Sequence, residues 1–80
     1  MSDNYYNSWD NYGIINQING AQAIQIALGY IPGEVLKVEL DTENGILIYE
    51  ITIRASAGGV YEVKVNANTG EVLEIEKEFD

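Results

Sequence analysis

Two runs of alternating apolar and polar residues flank Asn44-Gly45. Leu36, Val38 and Leu40 alternate on one side; Tyr49, Ile51 and Ile53 alternate on the other. Asn-Gly suits a two-residue type I′ turn, in which both central residues need positive φ. The pattern predicts a hairpin in which Leu40 faces Tyr49, Val38 faces Ile51 and Leu36 faces Ile53. A slip of one residue would turn every one of these side chains to the wrong face.

The alternation continues downstream. Ala57-Gly58-Gly59 reads as a three-residue loop with Gly59 in the left-handed region. That loop sets Ala55 against Tyr61, Ile53 against Val63 and Ile51 against Val65, with Arg54 meeting Glu62 on the other face. Asn68-Thr69-Gly70 reads as a third turn, setting Val65 against Leu73, Val63 against Ile75 and Lys64 against Glu74. Residues 72–77 fit a fourth strand or a short helical end.

Upstream, Ala23, Ile24, Ala27, Leu28 and Ile31 form a stripe at helical spacing. Asn19 with Gln22 makes a capping box, and Pro32-Gly33 ends the segment. The spacing predicts a helix over about 20–30, with Ile26 and Tyr30 off its main stripe. The expected fold is α+β, with one N-terminal helix packed on a four-stranded antiparallel meander. The predicted covered face comprises Leu36, Val38, Leu40, Tyr49, Ile51, Ile53, Val63, Val65, Leu73 and Ile75.

Residues 1–16 show neither period. This polar, aromatic arm holds Tyr5, Tyr6, Trp9 and Tyr12, and precedes a single domain over 17–80. Flexible, it is solvated; docked, its rings cover an apolar patch of this chain or of another.

Composition narrows function by exclusion. The chain has 80 residues, enough for one thin core. Its net charge of −9 opposes phosphate backbones and anionic lipid surfaces, so nucleic acid and membrane-surface partners are not expected. No apolar run approaches the ~20 residues of a membrane span, and no signal peptide is visible. Cysteine is absent, which removes thiol chemistry and disulfides. Histidine is absent too, and with it the commonest general base and metal ligand. Only Ser2, Ser8 and Ser56 offer serine hydroxyls; Ser56 sits at a hairpin end with no base in sequence view, and a serine without one is a weak nucleophile. Catalytic, cofactor-binding and metal sites are therefore all read as none.

The acidic groups have plain explanations. Glu39 and Glu50 should oppose each other on the wet face, softened by Lys37 or Lys64. Asp41-Thr42-Glu43-Asn44-Gly45 lacks the ligand spacing and sixth-position glycine of an EF-hand loop and reads as a turn. Val35, Ile46, Ile48, Val60 and Val72 are expected to point away from the core. With Tyr5, Tyr6, Trp9 and Tyr12 they make the candidate partner surface. Charges along strands 34–41 and 72–77 discourage stray edge pairing; acceptance of a peptide strand is the other reading of those edges.

Several segments in this order resemble the PepSY domain family: Ala23-Ile24-Gln25-Ile26-Ala27-Leu28, Pro32-Gly33-Glu34-Val35, Ile48-Tyr49-Glu50-Ile51, Tyr61-Glu62-Val63-Lys64-Val65-Asn66-Ala67 and Thr69-Gly70-Glu71-Val72-Leu73. The likeness spans about residues 18–76. It implies a helix on an antiparallel sheet and a non-catalytic protein-binding role, including peptidase inhibition or control of local peptidase activity. It also implies an extracytoplasmic or cell-envelope setting. Many relatives carry Asp where this chain has Asn66, and no attached peptidase or second copy is seen here. The alternative reading is a structural, self-associating module that uses the aromatic arm.

Overall fold

The structure is a computed structural model that describes residues 17–78. The aromatic arm, with Tyr5, Tyr6, Trp9 and Tyr12, lies outside the described residues, as do Phe79 and Asp80.

Helix α1 spans Gly20–Tyr30. Asn19 Oδ1 accepts from the Gln22 backbone N–H at 2.8 Å, and Gln22 Oε1 accepts from Asn19 N–H at 2.9 Å. This reciprocal pair satisfies two of the donors that every helix start leaves free. At the other end Ile31 N–H reaches the Ala27 carbonyl at 2.9 Å, and Pro32 follows.

Four strands follow: β1 Gly33–Glu43, β2 Ile46–Ala55, β3 Val60–Asn66 and β4 Val72–Lys77. They pair antiparallel in the order β1-β2-β3-β4, so residues 72–77 form a strand and β1 and β4 are the edges. The β1–β2 turn has φ 53° at Asn44 and 78° at Gly45, the positive pair a type I′ turn requires.

The core lies between α1 and the two central strands. Ala23 and Ala27 meet Ile51, Ile53, Val63 and Val65, all fully buried. The two alanines bring the helix axis close to the sheet, while Ile24, Ile26, Leu28 and Ile31 fill its flanks. At ~1.5 Å per residue the helix covers only about 16 Å. Its narrow stripe leaves much of the edge strands bare. Val38, Leu40 and Ile75, expected in the core, are therefore exposed, Leu40 by 56%.

Both edge strands carry a bulge, and each bulge reverses a reading of the alternation. In β1, Val35 pairs with Ile53 and Lys37 with Thr52, leaving Leu36 extra. Val35 thus packs against the core, and Leu36 turns outward, 42% exposed. In β4, Lys64 pairs with Glu74 and Val65 with Val72, leaving Leu73 extra. Val72 packs against the core and Leu73 is 43% exposed. A bulge sets two residues against one and so shifts the facing of the next residue along. Strict alternation places Leu36 and Leu73 inside; the bulges seat the adjoining valines there.

The β2–β3 register also differs from the expected one. Tyr49 pairs with Val65, Ile51 with Val63 and Ile53 with Tyr61. The loop closes one residue earlier than expected, at Ala55 N–H to Gly59 carbonyl, 2.8 Å. Gly58 and Gly59 both have positive φ, 111° and 86°. The resulting slip is an even number of residues, so every face is preserved while the partners change. Arg54 consequently stands opposite Val60 and Glu34, and its ion pair is with Glu34 at 3.0 Å, not with Glu62.

Candidate functional site

On the face away from α1, β1 presents Glu39, Asp41 and Glu43 at alternate positions. Glu39 stands directly opposite Glu50, as expected. Glu50 in turn stands opposite Lys64 on β3, and Lys64 opposite Glu74 on β4. Four strands therefore meet in one charged row. Lys64 Nζ lies 3.0 Å from Glu43 Oε2 and 3.5 Å from Glu74 Oε1. Its reach to Glu43 passes over β2, and by the register the crossing falls at Ile48. Ile48, expected to point into solvent, is 1% exposed, although it stands outside the cluster that α1 covers.

One oxygen from each of Asp41, Glu43 and Glu50 lies within 4.8 Å of the others. Burial pushes the Glu50 carboxyl above the ordinary glutamate value of 4.5; the charges of Glu62 and Asp41 and a hydrogen-bonding contact with Glu43 push the same way, and Lys64 opposes them. The Lys64 ammonium is held above its ordinary value of 10.5, chiefly by its hydrogen bond to Glu43. Three carboxylate oxygens suit a hard cation, but calcium takes six to eight oxygen ligands. Lys64 pairs with Glu43 and Glu74, while Asp41 and Glu62 leave an excess of negative charge around Glu50.

Tyr5, Tyr6, Trp9 and Tyr12 lie outside the described residues, and the described candidate partner residues do not form one patch. Val35 and Val72 belong to the helix-side packing and Ile48 is buried. Only Ile46, 40% exposed, and the half-buried Val60 remain at the outer surface. They lie near opposite ends of the β2–β3 pair. Val60 lines a shallow concavity with Leu36, Lys37, Thr52, Glu62 and Glu78. Alternation alone leaves Leu36 out of that surface, because its outward facing depends on the bulge. The clustering of Asp41, Glu43 and Glu50 could have been found from the i, i+2 spacing of acids on β1 taken with the hairpin register.

Asn66 organises the third turn. Its Oδ1 accepts from Asn68 N–H at 2.8 Å and Thr69 N–H at 3.2 Å, and Thr69 Oγ1 accepts from Glu71 N–H at 3.1 Å. An aspartate could accept the same bonds, so the departure from Asp noted at this position preserves the turn. Gly70 closes it with φ 82°.

Among the described residues, no helix is long and apolar enough to cross a membrane. A solved structure from Clostridium difficile 630, described as a "putative lipoprotein", is similar to this chain with a TM-score of 0.73 and 32% identity. The match covers 82% of this chain and 43% of that one, so this chain spans less than half of that protein's length. No curated protein matches the chain. The family described as "Peptidase propeptide and YPEB domain" matches residues 17–76, which takes in the capped helix, all of β1, β2 and β3, and most of β4. The chain belongs to the PepSY family.

Proposed function

We propose that this chain is a non-catalytic protein-binding module whose partner is a peptidase, bound so as to restrain its activity. The observation that carries this reading is the family match over residues 17–76, since the family is described by its peptidase propeptides. The sequence supports the non-catalytic part: it has neither histidine nor cysteine, and Ser56 has no base in sequence view. The row of acids around Lys64 has an internal electrostatic explanation and needs no reaction to account for it.

The test is to mix the full chain with thermolysin-like peptidases and to measure binding by calorimetry and hydrolysis of a chromogenic peptide in parallel. Saturable binding with slowed hydrolysis is expected. Saturable binding without slowed hydrolysis would leave a binder that is no inhibitor. Absence of binding to every such peptidase would remove the peptidase from the reading.

A further inference from the structure

The described chain begins beside an apolar surface that the other described residues leave partly exposed. Ile18 N–H donates to the Ala67 carbonyl at 2.8 Å, and the Tyr49 hydroxyl donates to the Ile18 carbonyl at 3.4 Å. Tyr49 is the cross-strand partner of Leu40, and Ala67 N–H bonds the Leu47 carbonyl at 2.9 Å. From this point α1 runs along β2 towards Ala55: Gly20 lies by Tyr49, and Pro32, just past the helix end, accepts a bond from Ser56 N–H. The chain preceding Ile18 therefore starts at the end of the helix nearest the β1–β2 turn. On that side the helix-facing row holds Val38, Leu40 and Leu47, with Val38 38% and Leu40 56% exposed.

We propose that residues 1–16 fold back over this part of their own hairpin and seat the Tyr5–Tyr12 stretch, Trp9 included, on Val38 and Leu40. Length permits it, because sixteen residues at ~3.3 Å each reach about 50 Å. Chemistry favours it: Tyr and Trp rings bury large apolar area while keeping a polar tip for the rim. Charge selects the face. The arm carries Asp3 and Asp10 with no Lys or Arg, and the opposite face of the same hairpin presents Glu39, Asp41 and Glu43. The helix-facing row is neutral. The tether selects the copy, since a short linker holds its segment at roughly millimolar effective concentration. This inference is independent of the peptidase reading.

Trp9 is the only tryptophan, so its fluorescence reports on the arm alone. In the full chain its emission is expected to be blue-shifted and shielded from acrylamide. Leu40→Asp, and more mildly Val38→Thr, should shift it to the free indole position and remove the shielding, with the far-ultraviolet circular dichroism retained. Ile46→Asp, on the opposite face, should leave it unchanged. Free-indole emission with full quenching in the wild-type chain overturns the proposal. So does shielding that survives both helix-side changes, or release by Ile46→Asp. Shielding that grows with concentration in step with dimer mass in sedimentation would assign the surface to a second copy and would overturn the intrachain reading.

Discussion

The two faces of the sheet solve the burial problem by different means. On the helix side a dry layer forms because Ala23 and Ala27 let α1 descend onto Ile51, Ile53, Val63 and Val65. On the other side, one isoleucine, Ile48, is buried within a charged row in which Lys64 reaches Glu43 and Glu74. The first arrangement rests on apolar area removed from water, which is non-directional and adds up with each side chain. The second rests on paired charges, which are partly solvated and so contribute little each. Stability should therefore be concentrated on the helix face, with the outer face setting its dependence on pH.

The sharpest way to break this comparison is Ile51→Ala. The site is fully buried beneath the helix, and the loss is expected at about 3 kcal/mol, within the ~2–5 kcal/mol typical of such truncations. Urea denaturation measures it, and a loss well under 1 kcal/mol would mean that the helix does not seal this face.

Gly33→Ala comes next. A Cβ at Gly33 would collide with the Arg54 carbonyl oxygen and crowd Ala55 Cα, both of them backbone that cannot swing aside. A loss of roughly 1–3 kcal/mol is expected, as for other overpacked sites. It would show as a lower denaturation midpoint, and an unchanged midpoint would mean that β1 does not start against β2 as described.

A third comparison isolates the β1 bulge. Val35→Ala removes two methyl groups from a partly buried site at ~0.8 kcal/mol each when fully buried, so about 1 kcal/mol is expected. Leu36→Ala, on the exposed extra residue, should cost about 0.5 kcal/mol or less. The reverse order would place Leu36 inside and remove the bulge.

The smallest effect is electrostatic. The folded Glu50 carboxyl has a raised pKa, so just above pH 4.5 the native state holds more protons than the unfolded chain. Its contribution to stability must then fall as pH rises through that window and remain unfavourable at neutral pH. Glu50→Gln should be neutral below pH 4.5 and mildly stabilising at pH 7. Paired denaturation curves across that range test the sign, and a variant less stable than wild type at pH 7 would contradict it. Lys64 has the same sign of pH dependence, because its folded value is raised too, but its charged form is the stabilising one. Its stabilising pairs are complete below its ordinary value of 10.5 and are lost as pH rises through the higher folded value.

What the sequence determined by itself was local. Asn19 with Gln22 specified the helix start, Asn44-Gly45 the first turn, and the period-two pattern the facing of Ile51, Ile53, Val63 and Val65. Each of these depends on residues adjacent in the chain or one turn apart, so each leaves a mark in a short window. The face-to-face charges of Glu39 and Glu50, and of Lys64 and Glu74, followed because a hairpin turn propagates its register. Only the tertiary structure decided which apolar side chains the helix covers, since that depends on the area of one short helix against four strands. It also decided both bulges. Their gain is the seating of Val35 and Val72 against a helix distant in sequence, and alternation alone cannot weigh that contact against Leu36 or Leu73. The pairing of Lys64 with Glu43 was likewise settled in space, where the attraction of opposite signs acts across β2 rather than along the chain.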